Sequence, residues 1–520
     1  MSKKEKKPTV LIILDGWGVA PPGPGNAVTL AKTPTMTALW NEFPHTLLFA
    51  HGKSVGLPGE QEGNSEAGHM NLSAGWIVKQ DAIYINESIK DGTFFKNTAF
   101  LEVLKHAKKY NTKIHIMGLL SNGESAHSYP DHLYALLKLL YEQDTQKIFL
   151  HLFTDGRDSS RFAAIKLLPK LKTHFYNNEK IATIMGRFYA MDRIKRWSRI
   201  EAAYNAMVLG EGVVAESAEA AISSAYNRGE TDEFIMPTVI AENHKPLATI
   251  DDNDIIIFFN LRSDRAREIT KTFVQKDFTE KNFGSFKRKK VAQNIRFAAM
   301  TDFGPDLPHI MTAYPSRNIL SALPAVLRDK KQIYIAEAEK YAHVTYFFNG
   351  GNADPIYGEE RIRIPSLPLP HYEQKPEMNA ENVTYEVRRC VDSGRYDFIT
   401  VNFCNPDMIG HTGNLQAGIR AVQTVDACVG KIIRGVFRKE GAAIITADHG
   451  NIEEMVNAKT GEIDTEHSAN PVPFIVVGPK FKNMKRKKLR KGILSDVAPS
   501  VIDVMGLVRP REMTRRSLLT

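Results

Sequence analysis

Cysteine is scarce in this chain: Cys390, Cys404 and Cys428 are the only three in 520 residues, an odd number without CxxC spacing. That excludes a disulfide framework and a cysteine zinc site, and it fits a reducing, cytoplasmic compartment. Long apolar runs are missing as well. The N-terminal VLIIL is broken by Asp15, too short for a signal peptide or a membrane span, so no membrane partner is expected. No repeat of fixed period occurs, which argues against a solenoid or propeller, and without heptads or a long amphipathic stripe a monomer is the default. Low complexity is absent too. With 43% hydrophobic and 24% charged residues the composition is that of globular domains, and 520 residues exceed one ordinary core, so two or more domains are expected.

Negative charge is in the minority, with 59 acidic against 68 basic residues and a net charge of +9. Such a surplus suits nucleic acid, an anionic surface or a small anion. Three basic clusters, at 3–7, 287–290 and 485–491, lack interleaved aromatics and read as solvated faces. No helix-turn-helix, zinc-finger spacing or aromatic RNA-binding motif accompanies them, so no nucleic-acid partner is expected.

What is present is an alternation of short aliphatic runs and helical patterns, which predicts an α/β protein with largely parallel sheets. Strands are expected at 10–14, 113–117, 147–153, 181–185, 255–260, 295–300, 398–403, 442–446 and 473–477. Ser198 to Glu201 has capping-box spacing, and Gly210 sits where the following helix should stop. Chemistry-bearing motifs near the N-terminus complement those near the C-terminus. This predicts a discontinuous domain, 1–80 with 313–520, split by an inserted α/β domain, 81–312.

Open α/β sheets place ligands at the carboxyl ends of their strands, so the residues following each strand matter most. Asp15 follows the first strand, in DGWG; Asp407 and His411 follow 398–403, in NPDMIGH; Asp448 and His449 follow 442–446, in ADHGN; and His467 precedes the last strand, in EHSANP. Each segment alone has an ordinary alternative, a turn or a structural histidine. Together they bring three carboxylates and three imidazoles to one sheet edge, a donor set for Zn, Mn or a similar divalent ion. Six ligands divide into two sets of about three, the arrangement of a two-metal phosphoryl-transfer site.

GNSEAGHMN, 63–71, supplies a serine with no base beside it. A hydroxyl at a divalent cation loses its proton readily, so Ser65 could be a nucleophile activated from a distance. A helix starting there would aim its N–H groups at a phosphate, and Gly63 and Gly68 would allow close backbone approach; a simple helix cap remains compatible.

The inserted region repeats the pattern with different residues. His127 ends GLLSNGESAH, Arg157 and Asp158 close TDGRD, Arg187 and Arg193 lie in MGRFYAMDR, and Arg262 and Arg265 lie in NLRSDR. Guanidinium forks at strand ends suit a small polyanion. Asp158 is either an ion-pair partner or a proton shuttle. A substrate held by both sets of loops would be enclosed as the lobes close.

These motifs, with EKYAHVTYFFNGG at 339–351 and LSDVAPSVIDVMGL at 494–507, follow the order found in the cofactor-independent phosphoglycerate mutases of the alkaline phosphatase superfamily, which the chain resembles along nearly its whole length. The resemblance implies a phosphatase-like domain around an inserted phosphotransferase domain, two Mn²⁺ or similar ions, and interconversion of 3- and 2-phosphoglycerate without 2,3-bisphosphoglycerate. It implies that Asp407, His411 and His467 hold one metal, and Asp15, Ser65, Asp448 and His449 the other. Ser65 would carry the phosphoryl group. His127, Arg157, Asp158, Arg187, Arg193, Arg262, Arg265 and Lys340 would bind substrate, with Asp158 as acid/base. The RHG motif of the histidine-phosphorylated mutases is absent. Asn122, Leu261, Ser263 and Ala338 depart from the family's usual residues, and none removes a charged or ligating group. A metal-dependent phosphatase, a mutase of another phosphate ester and a non-catalytic anion or nucleic-acid binder are the alternatives.

Overall fold

Strand Thr9–Leu14 lies at the middle of the first sheet, parallel to Phe398–Phe403 on one side and Ala442–Thr446 on the other, and all six of its residues are buried. A strand covered on both faces is apolar throughout rather than alternating. From edge to edge the eight strands are Glu360–Ile364, Gln332–Glu337, Phe398–Phe403, Thr9–Leu14, Ala442–Thr446, Val472–Val477, His45–Phe49 and Gly492–Ile493. Val472–Val477 is antiparallel to both neighbours, so its first residues share an edge with the carboxyl ends of the central strands. Helix Leu415–Arg438, capped by Asn414 accepting from the Ala417 amide, packs with Ala380–Asp392 against this sheet.

The second sheet runs Ile310–Tyr314, Arg296–Thr301, Ile255–Phe258, Ile114–Leu120, Ile148–Thr154, Glu179–Gly186, Thr238–Glu242, Val213–Ala215. It is parallel except where Thr238–Glu242 meets Glu179–Gly186 and the short strand Lys245–Pro246. Parallel strands need crossover connections, which puts all their carboxyl ends on one edge.

This computed structural model describes residues 6–520 apart from 60, 124, 177–178, 305, 308, 317–318, 356, 368, 370, 458–460 and 485–488. Positions 3–5 and 485–488 of the terminal basic clusters, and Pro308 near the expected domain border, lie outside the described residues. The chain forms two compact units, Met1–Gln80 with Arg317–Thr520, and Asp81–Ser316. The second crossing falls beyond the 312/313 border read from sequence, because Ile310–Tyr314 is the edge strand of the second sheet.

All nine expected strands are present, within a few residues of the expected bounds. The capping box is not: the helix begins at Trp197 with Arg196 before it, so Ser198 lies inside its first turn and caps nothing. The helix does end before Gly210, whose φ of 69° takes the left-handed turn. The cluster at 287–290 is more than a solvated face. Arg288 donates to the Thr272 and Lys276 carbonyls, and Lys290 to those of Val208 and Ile250, so the loop is tied down by its own cations. Among the described residues no helix is long and apolar enough to cross a membrane.

Candidate metal centre and anion-binding loops

In the first unit, Asp15 follows Thr9–Leu14 directly, Asp407 sits in the first turn of helix Asn405–Gly410 just after Phe398–Phe403, and Asp448 and His449 follow Ala442–Thr446. His467 reaches the same edge because the strand it precedes is antiparallel. Helix Ser65–Ala74 starts at the serine, with Asn64 as its N-cap accepting from the Ala67 amide. Two glycines permit the approach. A Cβ on Gly63 would lie 2.9 Å from His449 Cβ, and one on Gly68 would lie 2.7 Å from Asp448 Cβ.

The Ser65 hydroxyl is held from three sides: it is 3.2 Å from Asp15 Oδ1, 2.9 Å from His449 Nε2, and accepts from Lys340 Nζ at 2.6 Å. Lys340 also pairs with Asp15 at 2.7 Å and Asp407 at 2.6 Å. Burial works against each of these charges, and the pairing outweighs it. Lys340 is pushed above the usual lysine range by Asp15 and Asp407, while both carboxyls are held below theirs by its ammonium.

Two trios, Asp407–His411–His467 and Asp15–Asp448–His449, each bring ligating atoms within 4.8 Å of one another. Their chemistry fits divalent ions. Nδ1 of His411, His467 and His449 faces the carbonyls of Thr465, Gly63 and Gly450 at 2.7, 2.8 and 3.2 Å, so each Nδ1 carries its proton and each Nε2 is the inward atom, available to a metal once it is unprotonated. The Nε2 atoms of His411 and His467 then face each other at 3.2 Å, each 3.3 Å from Asp407 Oδ1, an arrangement that calls for a cation between them. Asp448 Oδ2 is buried and accepts no hydrogen bond, and it lies 3.5 Å from His449 Nε2. Three carboxylates face one ammonium, leaving the centre short of positive charge. Despite burial, Asp448 and Asp15 raise His449 to about 9, and Asp407 raises His411; burial and the His449 charge lower His467.

Outside these trios, His69 donates from Nδ1 to the Ser65 carbonyl at 2.9 Å. Asn402 donates to Asp15 Oδ2 at 2.6 Å and lies 3.0 Å from His69 Nε2. Asn451 donates to Asp407 Oδ1 at 3.1 Å. Sequence reading on residues alone missed these three and Lys340. Lys340 follows strand Gln332–Glu337, and recognising QIYIAE as a strand would have flagged it.

In the second unit the loops after four strands gather His127, Asp158 and all five arginines. Arg187, 2% exposed, donates to Asp155 Oδ1 at 2.6 Å and Asp158 Oδ2 at 2.8 Å. Ser125 donates to the same Asp158 oxygen at 2.6 Å. Burial raises Asp158, but Arg187 and Ser125 prevail and hold it below the usual carboxylate range. Asp264 accepts from Arg193 at 3.1 Å and Arg262 at 3.4 Å, and lies 4.0 Å from His127 Nδ1. Burial drives His127 down to about 3, so its ring is neutral. Burial and the charges of Arg187, Arg193 and Arg157 depress Arg265 to about 10, a sign of crowded cations short of counter-charge. Arg157 is the outlying member, half-exposed and 3.6 Å from Glu233. Asp155 and Asp264 were not singled out in the sequence, because a carboxylate that orders an arginine loop has no local pattern of its own.

Residues 85–305 match the family model described as BPG-independent PGAM N-terminus. Curated relatives named 2,3-bisphosphoglycerate-independent phosphoglycerate mutase include one from Clostridium novyi (strain NT), 46% identical over 518 residues and 99% of both chains. Another, from Clostridioides difficile (strain 630), is 46% identical over 519 residues and 99% of both chains. A phosphoglycerate mutase of Leishmania mexicana, solved at low cobalt concentration, superposes with a TM-score of 0.78 at 28% identity, covering 99% of this chain and 98% of its own. With 46% identity from end to end, the chain belongs to the 2,3-bisphosphoglycerate-independent phosphoglycerate mutases and is an enzyme of that type.

Proposed function

We propose that this isomerase interconverts 3- and 2-phosphoglycerate through a phosphoserine at Ser65, and the threefold hold on the Ser65 hydroxyl is the observation that carries the reading. Asp407, His411 and His467 would hold one divalent ion, and Asp15, Asp448, His449 and Ser65 a second, most suitably Mn²⁺. Such ions, when bound, supply the positive charge that the three carboxylates lack and make a nearby hydroxyl more acidic.

Ser65 Oγ would form a bond to phosphorus as the bond from phosphorus to the glycerate oxygen breaks. Lys340, buried and held charged, stands 2.6 Å from Oγ and would offset the negative charge that builds up on the oxygens around phosphorus. The arginine loops, with neutral His127 among them, suit the glycerate carboxylate and hydroxyls. Asp158 is ionised at neutral pH and oriented by Arg187 and Ser125. Its carboxylate would first take the proton of the hydroxyl that is to receive the phosphoryl group and then pass it to the oxygen that has lost phosphorus, ending ionised as it began. The phosphoryl group then passes from Ser65 to that hydroxyl and Ser65 is restored. No bisphosphate primer is required, because the group returns to the glycerate it left.

This reading assigns metal-centre chemistry to the discontinuous unit and substrate binding to the inserted one. The test is conversion of 3-phosphoglycerate to 2-phosphoglycerate with no added bisphosphate, together with peptide mass mapping of the quenched enzyme. Label at Ser65 and loss of both label and turnover in Ser65→Ala are expected. Turnover by Ser65→Ala would end the nucleophile assignment, and release of free phosphate in place of 2-phosphoglycerate would make the enzyme a hydrolase.

A further inference from the structure

Glu453 lies two residues beyond ADHGN and is 2% exposed. Its Oε2 accepts from the backbone amides of Gly18 and Asn451, both at 2.9 Å. Its Oε1 accepts from Ser468 Oγ and from Asn470 Nδ2, the latter at 3.1 Å. All four partners are donors, which is what an ionised carboxylate requires and a carboxamide cannot accept in full. The four come from three separate stretches of chain. Gly18 follows Asp15 in DGWG, Asn451 follows His449 in ADHGN, and Ser468 adjoins His467 in EHSANP. The segment bearing Asp407 is reached indirectly, since the Asn451 side chain donates to Asp407. Space around the carboxylate is fitted to it as well. A Cβ on Gly18 or on Gly450 would collide with the Glu453 carboxyl group, so two of the loops close on it through bare backbone.

We propose that Glu453 is the positioning residue of the metal centre. It touches none of the proposed ligands, yet three of the five ligand-bearing segments converge on its carboxylate. Carboxylates placed behind a ligand set fix ligand direction, and losing one typically weakens metal binding roughly 10- to 100-fold. The inference rests on the metal-holding role proposed above for the two trios.

The test is titration of the metal-free full chain with Co²⁺, following heat and the visible absorption of the bound ion. Glu453→Gln, which keeps the shape but turns an amide toward two donors, is expected to weaken binding at least tenfold and to change the Co²⁺ spectrum. Turnover should recover on raising the metal concentration, with the KM for phosphoglycerate unmoved. Ser468→Ala, which removes a single donor, is expected to weaken binding in the same direction and keeps the question answerable if the glutamine variant does not fold. Wild-type affinity and spectrum in either variant, whatever its melting temperature, would overturn the role of Glu453. A wild-type chain that binds no Co²⁺ would instead overturn the metal reading beneath it.

Discussion

Protons and divalent ions should compete for this centre, and the size of the competition follows from its geometry. His449 Nε2 is wholly buried beside Asp448, Asp15 and Asp407, which raise its pKa to about 9 in the absence of an ion. A metal ligand must present a bare Nε2, because Nδ1 is committed to the Gly450 carbonyl. At pH 7 the bare form is then about one part in a hundred, a penalty of about 2.7 kcal/mol on binding. The sign is fixed: a raised pKa favours the proton at low pH, so metal affinity rises with pH. It should gain about tenfold per pH unit between 7 and 9 and level off above 9. His411 is raised as well, by Asp407, so a second proton steepens the dependence toward lower pH. Mn²⁺ titrations at several pH values, repeated in buffers of different ionisation enthalpy, measure both the affinity and the protons released. Equal affinity at pH 7 and pH 8.5, with no proton release, would refute the argument.

Lys340→Met should fold when metal is present and lose roughly 10²- to 10³-fold in kcat, because it deletes the ammonium beside the reacting oxygen; steady-state kinetics at saturating metal decide this. Asp158→Asn should lower kcat by about 10²- to 10⁴-fold while leaving Mn²⁺ affinity unchanged in titration, since its carboxylate bonds Ser125 and Arg187 in the second unit. Arg187→Ala strands the buried Asp155 and should destabilise by about 3–5 kcal/mol, read as a lower urea midpoint together with a raised KM. Gly68→Ala would press a methyl group to 2.7 Å from Asp448 Cβ, and a cost on the order of 1–3 kcal/mol should show as weaker Mn²⁺ binding in titration.

Legibility in the sequence followed the range of the physical signal. Strands such as Thr9–Leu14 announce themselves because five consecutive positions buried on both faces, Val10 to Leu14, are all apolar. Edge strands such as Glu360–Ile364 and Ile310–Tyr314 are only partly covered, and no strand was read there. The Ser198 capping box failed because S-x-x-E spacing is a local coincidence, and the helix had already begun at Trp197.

The sequence by itself determined the alternating α/β pattern, the ligand-rich segments at strand ends and the serine free of bulky neighbours, since those depend on residue type and short spacing. Only the tertiary structure decided that Lys340 stands against Ser65 from 275 positions away, that Asp264 sits among the arginines, and that Glu453 gathers three loops. A lysine or glutamate looks the same in sequence whether solvated or buried. Its role is set by which opposite charges and donors the fold packs around it, because removal from water is tolerable only where those partners are supplied.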